Sequence, residues 1–279
     1  RDHHDTLVRQ MPTVAQDAAG TSGHPKPPPA PGGRPLHEGL FLALLVILLL
    51  LPARPWVWRN LAVPTGDEAT HLLACLTFQE NFERADSPGD WLTPALSWRD
   101  HNAYPPLVYQ VVGMTSALSG GLELGDLACL NLGWVALATL AVYILGRRLF
   151  GASGPSQGRL VGALAALVVG FSPLLLTQVP TFLLDLPAAA TFLAALALLA
   201  CSTDMENRGR AILVGVSVAA VALTKWLTIL SLLPALLYVS WHVHQATPRR
   251  ERAALAGGLA GLATALAAAV GLAFRFPPP

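Results

Sequence analysis

Charge is scarce in this chain. Asp, Glu, Lys and Arg together make up 13% of the 279 residues, while hydrophobic residues make up 53% and fall in long runs instead of alternating with polar ones. Such a pattern excludes an ordinary soluble domain, in which about a quarter of the residues are charged. Cysteine is also sparse: Cys75, Cys129 and Cys201 form neither a metal-type spacing nor an even set. They argue for neither a zinc motif nor a disulfide framework, and none is given a role. An internal repeat is lacking too, and with it the paired broken helices that many secondary carriers show.

What the chain does have is apolar runs. A membrane-crossing helix needs roughly 20 mostly apolar residues, because it rises about 1.5 Å per residue through about 30 Å of hydrocarbon. Several runs meet that test, and the apolar segments as a whole lie at Gly39 to Leu51 and at about 127–146, 160–176, 183–201, 211–224, 226–241 and 253–274, of which 211–224 and 226–241 are short with an unsettled boundary. They predict an all-α polytopic membrane protein with about seven transmembrane helices. The first run resembles the apolar part of a signal peptide. A long tail precedes it, however, and Pro52-Ala53-Arg54-Pro55-Trp56 follows it, so it reads as a first span.

Residues 1–35 are rich in Pro, Gly and His, with Pro25, Pro27, Pro28, Pro29 and Pro31 closely spaced. They are expected to form a disordered cytoplasmic tail, since nothing there can build a core. Residues 36–279 are expected to form the transmembrane module. The chain opens on Arg1 and stops at Pro279 directly after an apolar segment, and the expectation is a piece of a longer protein, truncated at its C-terminus.

Arginine fixes the expected sidedness. Arg147, Arg148 and Arg159, then Arg208 and Arg210, then Arg249, Arg250 and Arg252 all sit in short links. By the positive-inside rule these links share the cytoplasmic side. Residues 60–104 instead carry seven acidic residues against two arginines, as befits an exported loop. Both conditions hold together only if the apolar stretch 105–118 does not cross. At about 14 residues it is too short for a comfortable span and suits a juxtamembrane or re-entrant helix. Residues 54–126 thus read as one large first extracytoplasmic loop with juxtamembrane helices, and Asp185 and the turn at Lys225 fall at the outer face.

Asp185 and Lys225 are the two formally charged residues within the expected spans and their tight turns. Charge at such positions is costly enough to suggest function. The plainer alternative is solvation at a span end, and for Lys225 snorkelling alone would suffice. The segment Thr65-Gly66-Asp67-Glu68-Ala69-Thr70-His71 opens an expected amphipathic helix on the outer surface. Thr65 and Glu68 match a capping box, in which Glu68 merely satisfies a backbone donor. Asp67 and His71, four apart, would face the same way and could bind a divalent metal or polarise a substrate group. A second polar cluster, with His101 and Tyr104, precedes Pro105-Pro106, whose rings stop one segment and start the next.

The order of these features resembles the GT-C type membrane glycosyltransferases, among them the dolichyl-phosphate-mannose protein mannosyltransferases and the bacterial aminoarabinose transferases for lipid A. The similar stretches are Gly66-Asp67-Glu68-Ala69-Thr70-His71, Tyr104-Pro105-Pro106-Leu107-Val108-Tyr109, Leu183-Leu184-Asp185-Leu186-Pro187 and Val221-Ala222-Leu223-Thr224-Lys225-Trp226. The link Leu145 to Gly151 and the later Phe171-Ser172-Pro173 are also similar, so the likeness runs from about residue 37 to 241. These families commonly place an arginine near the start of the second span, where this chain has Asn131.

The resemblance implies transfer of a sugar, with inversion, from a polyprenyl-phosphate donor to a protein, lipid or glycan acceptor on the outer side of a bacterial inner membrane. It implies Asp67 as general base with Glu68 beside it, Asp185 as a second acid of the same cavity, and His71, His101, Tyr104 and Lys225 around the substrates. Membrane lipids are expected partners and nucleic acid is not. Two other classes stay open at this point. A transporter could use Asp185 and Lys225 as an ion pathway, and a non-catalytic membrane partner could retain the same fold.

Overall fold

The computed structural model describes residues 35–59, 64, 66–87, 105–202, 208–225 and 227–246. It divides into two units, residues 1–40 and 41–279. The described part of the first is the opening of helix α1 (Pro35–Arg59); everything below concerns the second. The expected tail, His101, Tyr104 and the apolar run at 253–274 lie outside the described residues.

Among the described residues all regular structure is helical. After α1 come α2 (Asp67–Glu83), α3 (Leu107–Ser119), α4 (Leu124–Phe150), α5 (Pro155–Gly170), the short α6 (Pro173–Thr177), α7 (Asp185–Cys201), α8 (Arg208–Thr224) and α9 (Thr228–Ala246). Two segments are long and apolar enough to cross a membrane, the 30 residues Leu124–Ser153 and the 23 residues Pro155–Thr177. The second leaves Leu160, Leu164, Leu167, Val168, Phe171 and Leu174 exposed, an apolar face unlike that of a soluble protein's core helix and suited to lipid. The other expected spans within the described residues form shorter apolar helices, Gly39–Leu48, Asp185–Cys201, Ile212–Thr224 and Thr228–Trp241. The stretch expected not to cross forms α3, 13 residues long.

α4 and α5 make a hairpin through a 3-10 turn at Gly151–Ser153. Glycine lets their backbones touch. A Cβ added at Gly146 would come 2.7 Å from the Cα of Gly162, and one added at Gly158 would come 2.6 Å from the carbonyl oxygen of Arg147. Close approach through small residues is how helices pack where lipid removes the hydrophobic drive. Leu45 of α1 packs with Tyr143 and Ala166 against this hairpin.

On its other side α4 packs against α7 through Ala128, Leu132, Val135 and Leu186. α7 in turn packs against α8 and α9 through Ala195, Leu199, Val214, Val218, Val221, Leu232 and Val239. The Arg148 Nε–H donates to the carbonyl of Ala200 at 3.1 Å, so α4 and α7 end together. α8 runs back along α7, because Lys225 at its end meets Asp185 at the start of α7. The arginine-bearing link after α4 and the beginnings of α2 and α7 therefore lie at opposite ends of the bundle.

α2 and α3 pack on each other at the latter end. Leu72, Cys75, Phe78 and Phe82 meet Val108, Tyr109 and Val112, and Leu127, Phe182 and Leu184 close the cluster. Gly113 makes this approach possible, since a Cβ there would lie 2.7 Å from the Cβ of Phe78. Cys75 is wholly enclosed, and burial pushes its thiol far above the usual range, which leaves it without nucleophilic character.

Candidate functional site

α2 begins where Gly66 turns the backbone with φ 57°, in the left-handed half of conformational space that glycine enters without a Cβ penalty. Asp67 and Glu68 occupy the first turn, where the helix dipole favours anions. Glu68 Oε1 accepts the backbone N–H of Phe182 at 2.5 Å, 114 residues away in sequence, so its carboxylate reaches beyond its own helix. Thr65 lies outside the described residues.

Phe182 belongs to the link between α6 and α7, and that link is held from a second side. Asn131, in the second turn of α4 and 2% exposed, donates through Nδ2 to the carbonyls of Val179 at 3.0 Å and Thr181 at 2.8 Å. The amide thus clamps backbone of the link. Val179, Phe182 and Leu184 are buried beneath. The clamped link ends in Asp185, the first residue of α7.

Asp185 Oδ1 lies 2.5 Å from the ammonium of Lys225. Each partner stands where its helix favours it, the carboxylate at the start of α7 and the ammonium just past the end of α8. A tight turn, closed by the Thr228 N–H donating to the Lys225 carbonyl at 2.9 Å, joins α8 to α9. The pair lies at the protein surface, with side-chain exposures of 66% for Asp185 and 32% for Lys225. A ligand can therefore reach both.

His71 sits one turn into α2, buried, with Nδ1 at 2.7 Å from the hydroxyl of Tyr109 in α3. Burial lowers its pKa from the usual value, Asp67 and Asp185 oppose that shift, and Lys225 adds to it. Charges shift an imidazole in this way only from nearby. Asp67, Asp185 and Lys225 all act on one imidazole, and Glu68 is tied to the link that presents Asp185. Five of the seven expected site residues thus meet at one end of the bundle, while His101 and Tyr104 lie outside the described residues.

Two side chains of the site were not singled out for a role by the sequence reading. Tyr109 ends the stretch Tyr104 to Tyr109, and Asn131 is the one amide inside an otherwise apolar α4; a lone polar residue in such a run was the available signal. Among the described residues no group of three or more His, Cys, Asp and Glu is arranged to hold a metal ion. Chemically, the site offers a carboxylate, a buried neutral imidazole with a phenol behind it, and an accessible carboxylate–ammonium pair. Comparison with protein-family models, curated proteins and solved structures finds no significant match to this chain.

Proposed function

We propose that this chain is an integral membrane glycosyltransferase of the GT-C type, acting on a polyprenyl-phosphate sugar at the outer face of a multi-pass bundle. The observation that carries the reading is the convergence of Asp67, Glu68, His71, Asp185 and Lys225 at one end, opposite the arginine-bearing link that follows α4. Under the positive-inside rule that link faces the cytoplasm and the cluster faces out. The shorter helices α7, α8 and α9 then complete about seven spans together with α1, α4, α5 and the segment at 253–274. Outside the cell nucleotide sugars are lacking, and a lipid carrier keeps the sugar in the plane of the enzyme.

In this reading Asp67 takes the proton from the acceptor hydroxyl as its oxygen attacks the anomeric carbon. The bond from that carbon to the phosphate oxygen breaks, and the phosphate leaves with the electron pair. Lys225, a compact ammonium at the edge of the bundle, turns from Asp185 to the charge developing on the phosphate. A single displacement inverts the anomeric centre.

The test is sugar transfer from polyprenyl-phosphate donors by the full chain in membranes. Asp67→Asn is expected to abolish transfer while donor binding and the folded state persist, because an amide cannot accept the proton. Transfer by Asp67→Asn equal to wild type removes Asp67 from the mechanism. Transmembrane flux of a solute without any transfer would point to a carrier, for which the Asp185 and Lys225 pair is also suited.

A further inference from the structure

The hydrogen bond between His71 and Tyr109 has a chemical direction. Tyr109 is completely buried in α3, and its hydroxyl lies 2.7 Å from Nδ1 with the two rings stacked at 5.8 Å. A phenol is a better donor than a neutral imidazole N–H, and an unprotonated imidazole nitrogen is a better acceptor than a phenol oxygen. The favoured arrangement has the Tyr109 O–H donating to Nδ1. The hydrogen bond made at one ring nitrogen decides which nitrogen holds the proton, and a neutral ring has a single proton to place.

We infer that Tyr109 is a positioning residue that holds His71 as the neutral imidazole with its proton on Nε2, so that His71 serves the site as a hydrogen-bond donor and leaves the role of base to Asp67. With Nδ1 occupied by Tyr109 and Nε2 protonated, the ring has no lone pair with which to take a proton from an acceptor hydroxyl. It can donate to an anionic oxygen. Among the described residues, Asp67 on its own helix, Asp185 at the start of α7 and Lys225 just past the end of α8 act on it, and burial outweighs the two carboxylates in keeping the ring uncharged. The tautomer follows from the contact with Tyr109 and the donor and acceptor strengths of the two groups, whereas what the donor does in catalysis rests on the glycosyl-transfer reading.

Two measurements separate these layers. In the purified full chain carrying nitrogen-15 histidine, the His71 signals, assigned by their loss in His71→Gln, should report a protonated Nε2 and an unprotonated Nδ1 at pH 7. In Tyr109→Phe they should shift toward a mixture of tautomers. A proton on Nδ1 alone, or an imidazolium at pH 7, overturns the inference whether or not the chain transfers sugar. In the transfer assay, His71→Gln, whose amide nitrogen falls near the position of Nε2, should retain most of the activity. His71→Asn, which matches the Nδ1 position, should lose it. Tyr109→Phe should lower kcat about tenfold with little change in KM, as expected for one buried hydrogen bond that orients a reacting group. Equal losses in His71→Gln and His71→Asn overturn the donor role. Wild-type protein with the Nε2 tautomer and no transfer refutes the glycosyl-transfer reading and leaves the positioning by Tyr109 intact.

Discussion

Glu68 stands beside the expected base, yet its carboxylate is engaged with the backbone of Phe182. Replacing it separates a structural role from a chemical one. Phe182 is 2% exposed, so water is a poor substitute partner for its N–H. Removing a charged acceptor from such a donor costs about 1.5–3 kcal/mol. At about 2 kcal/mol, the opening equilibrium of that amide rises about 30-fold. Glu68→Ala should therefore speed hydrogen exchange in the segment 178–184 by about that factor, and should lower transfer by loosening the link that presents Asp185. Glu68→Gln keeps a carbonyl oxygen in place and loses only the charge assistance, roughly half of the bond. Its exchange should rise only about fivefold, well short of that in Glu68→Ala. Exchange mass spectrometry on both variants, run beside the transfer assay, decides the matter. If Glu68→Gln kept the slow exchange of Phe182 but lost transfer as fully as Asp67→Asn, the clamp would not be the reason Glu68 matters.

Three further outcomes are expected. Gly162→Ala would drive a Cβ to 2.6 Å from the carbonyl oxygen of Tyr143 and should destabilise the protein by about 1–3 kcal/mol; Gly133→Ala, which meets nothing within 4 Å, is the control, and equal thermal unfolding of the two variants would refute glycine-mediated packing. Because burial holds the pKa of His71 below its ordinary 6.5, the unfolded chain binds the proton more readily, so His71 supports stability above pH 6.5 and loses that support as pH falls below it toward the folded value. The midpoint of unfolding should accordingly fall more steeply on acidification for wild type than for His71→Gln, and parallel curves would refute this. Lys225→Met should weaken use of the lipid-phosphate donor strongly and Lys225→Arg should restore part of it, whereas unchanged donor dependence in Lys225→Met would assign Lys225 to anchoring at the membrane surface.

Local signals carried much of the helical layout. Apolar runs located α4, α5, α7, α8 and α9 to within a few residues, and the short run after Pro105-Pro106 became α3. Among the described residues, length and hydropathy alone qualify two segments as spans; α7 and α8, at 17 residues each, fall short of that test. Charge in an apolar setting singled out Asp185 and Lys225, and their pairing could not be read from either neighbourhood. It needs α8 to fold back along α7. The contact of Glu68 with Phe182 was invisible for a similar reason: spacing rules describe what lies within one or two helical turns, and this bond spans 114 residues. Tyr109 was passed over because an apolar helix that contains a tyrosine looks the same whether its hydroxyl faces headgroups or a buried imidazole.

The separation between Glu68 and Phe182 also sets an order of assembly. The α4 and α5 hairpin can zip as soon as its second helix leaves the ribosome, since Gly146 and Gly162 are close in sequence as well as in space. Asp185 and Lys225 must wait for one more helical hairpin, after which each neutralises the other's charge. α2 is made long before its partner on the link, and its acidic first turn has nothing to grip until α7 has been inserted. The parts of the site are therefore synthesised at widely spaced times and closed late, so Asp67 gains its final surroundings only after most of the bundle is in place. A nascent chain halted before α7 would carry Asp67 and Glu68 with neither Phe182 nor Asp185 opposite them, so the cluster can exist only once most of the bundle has been made.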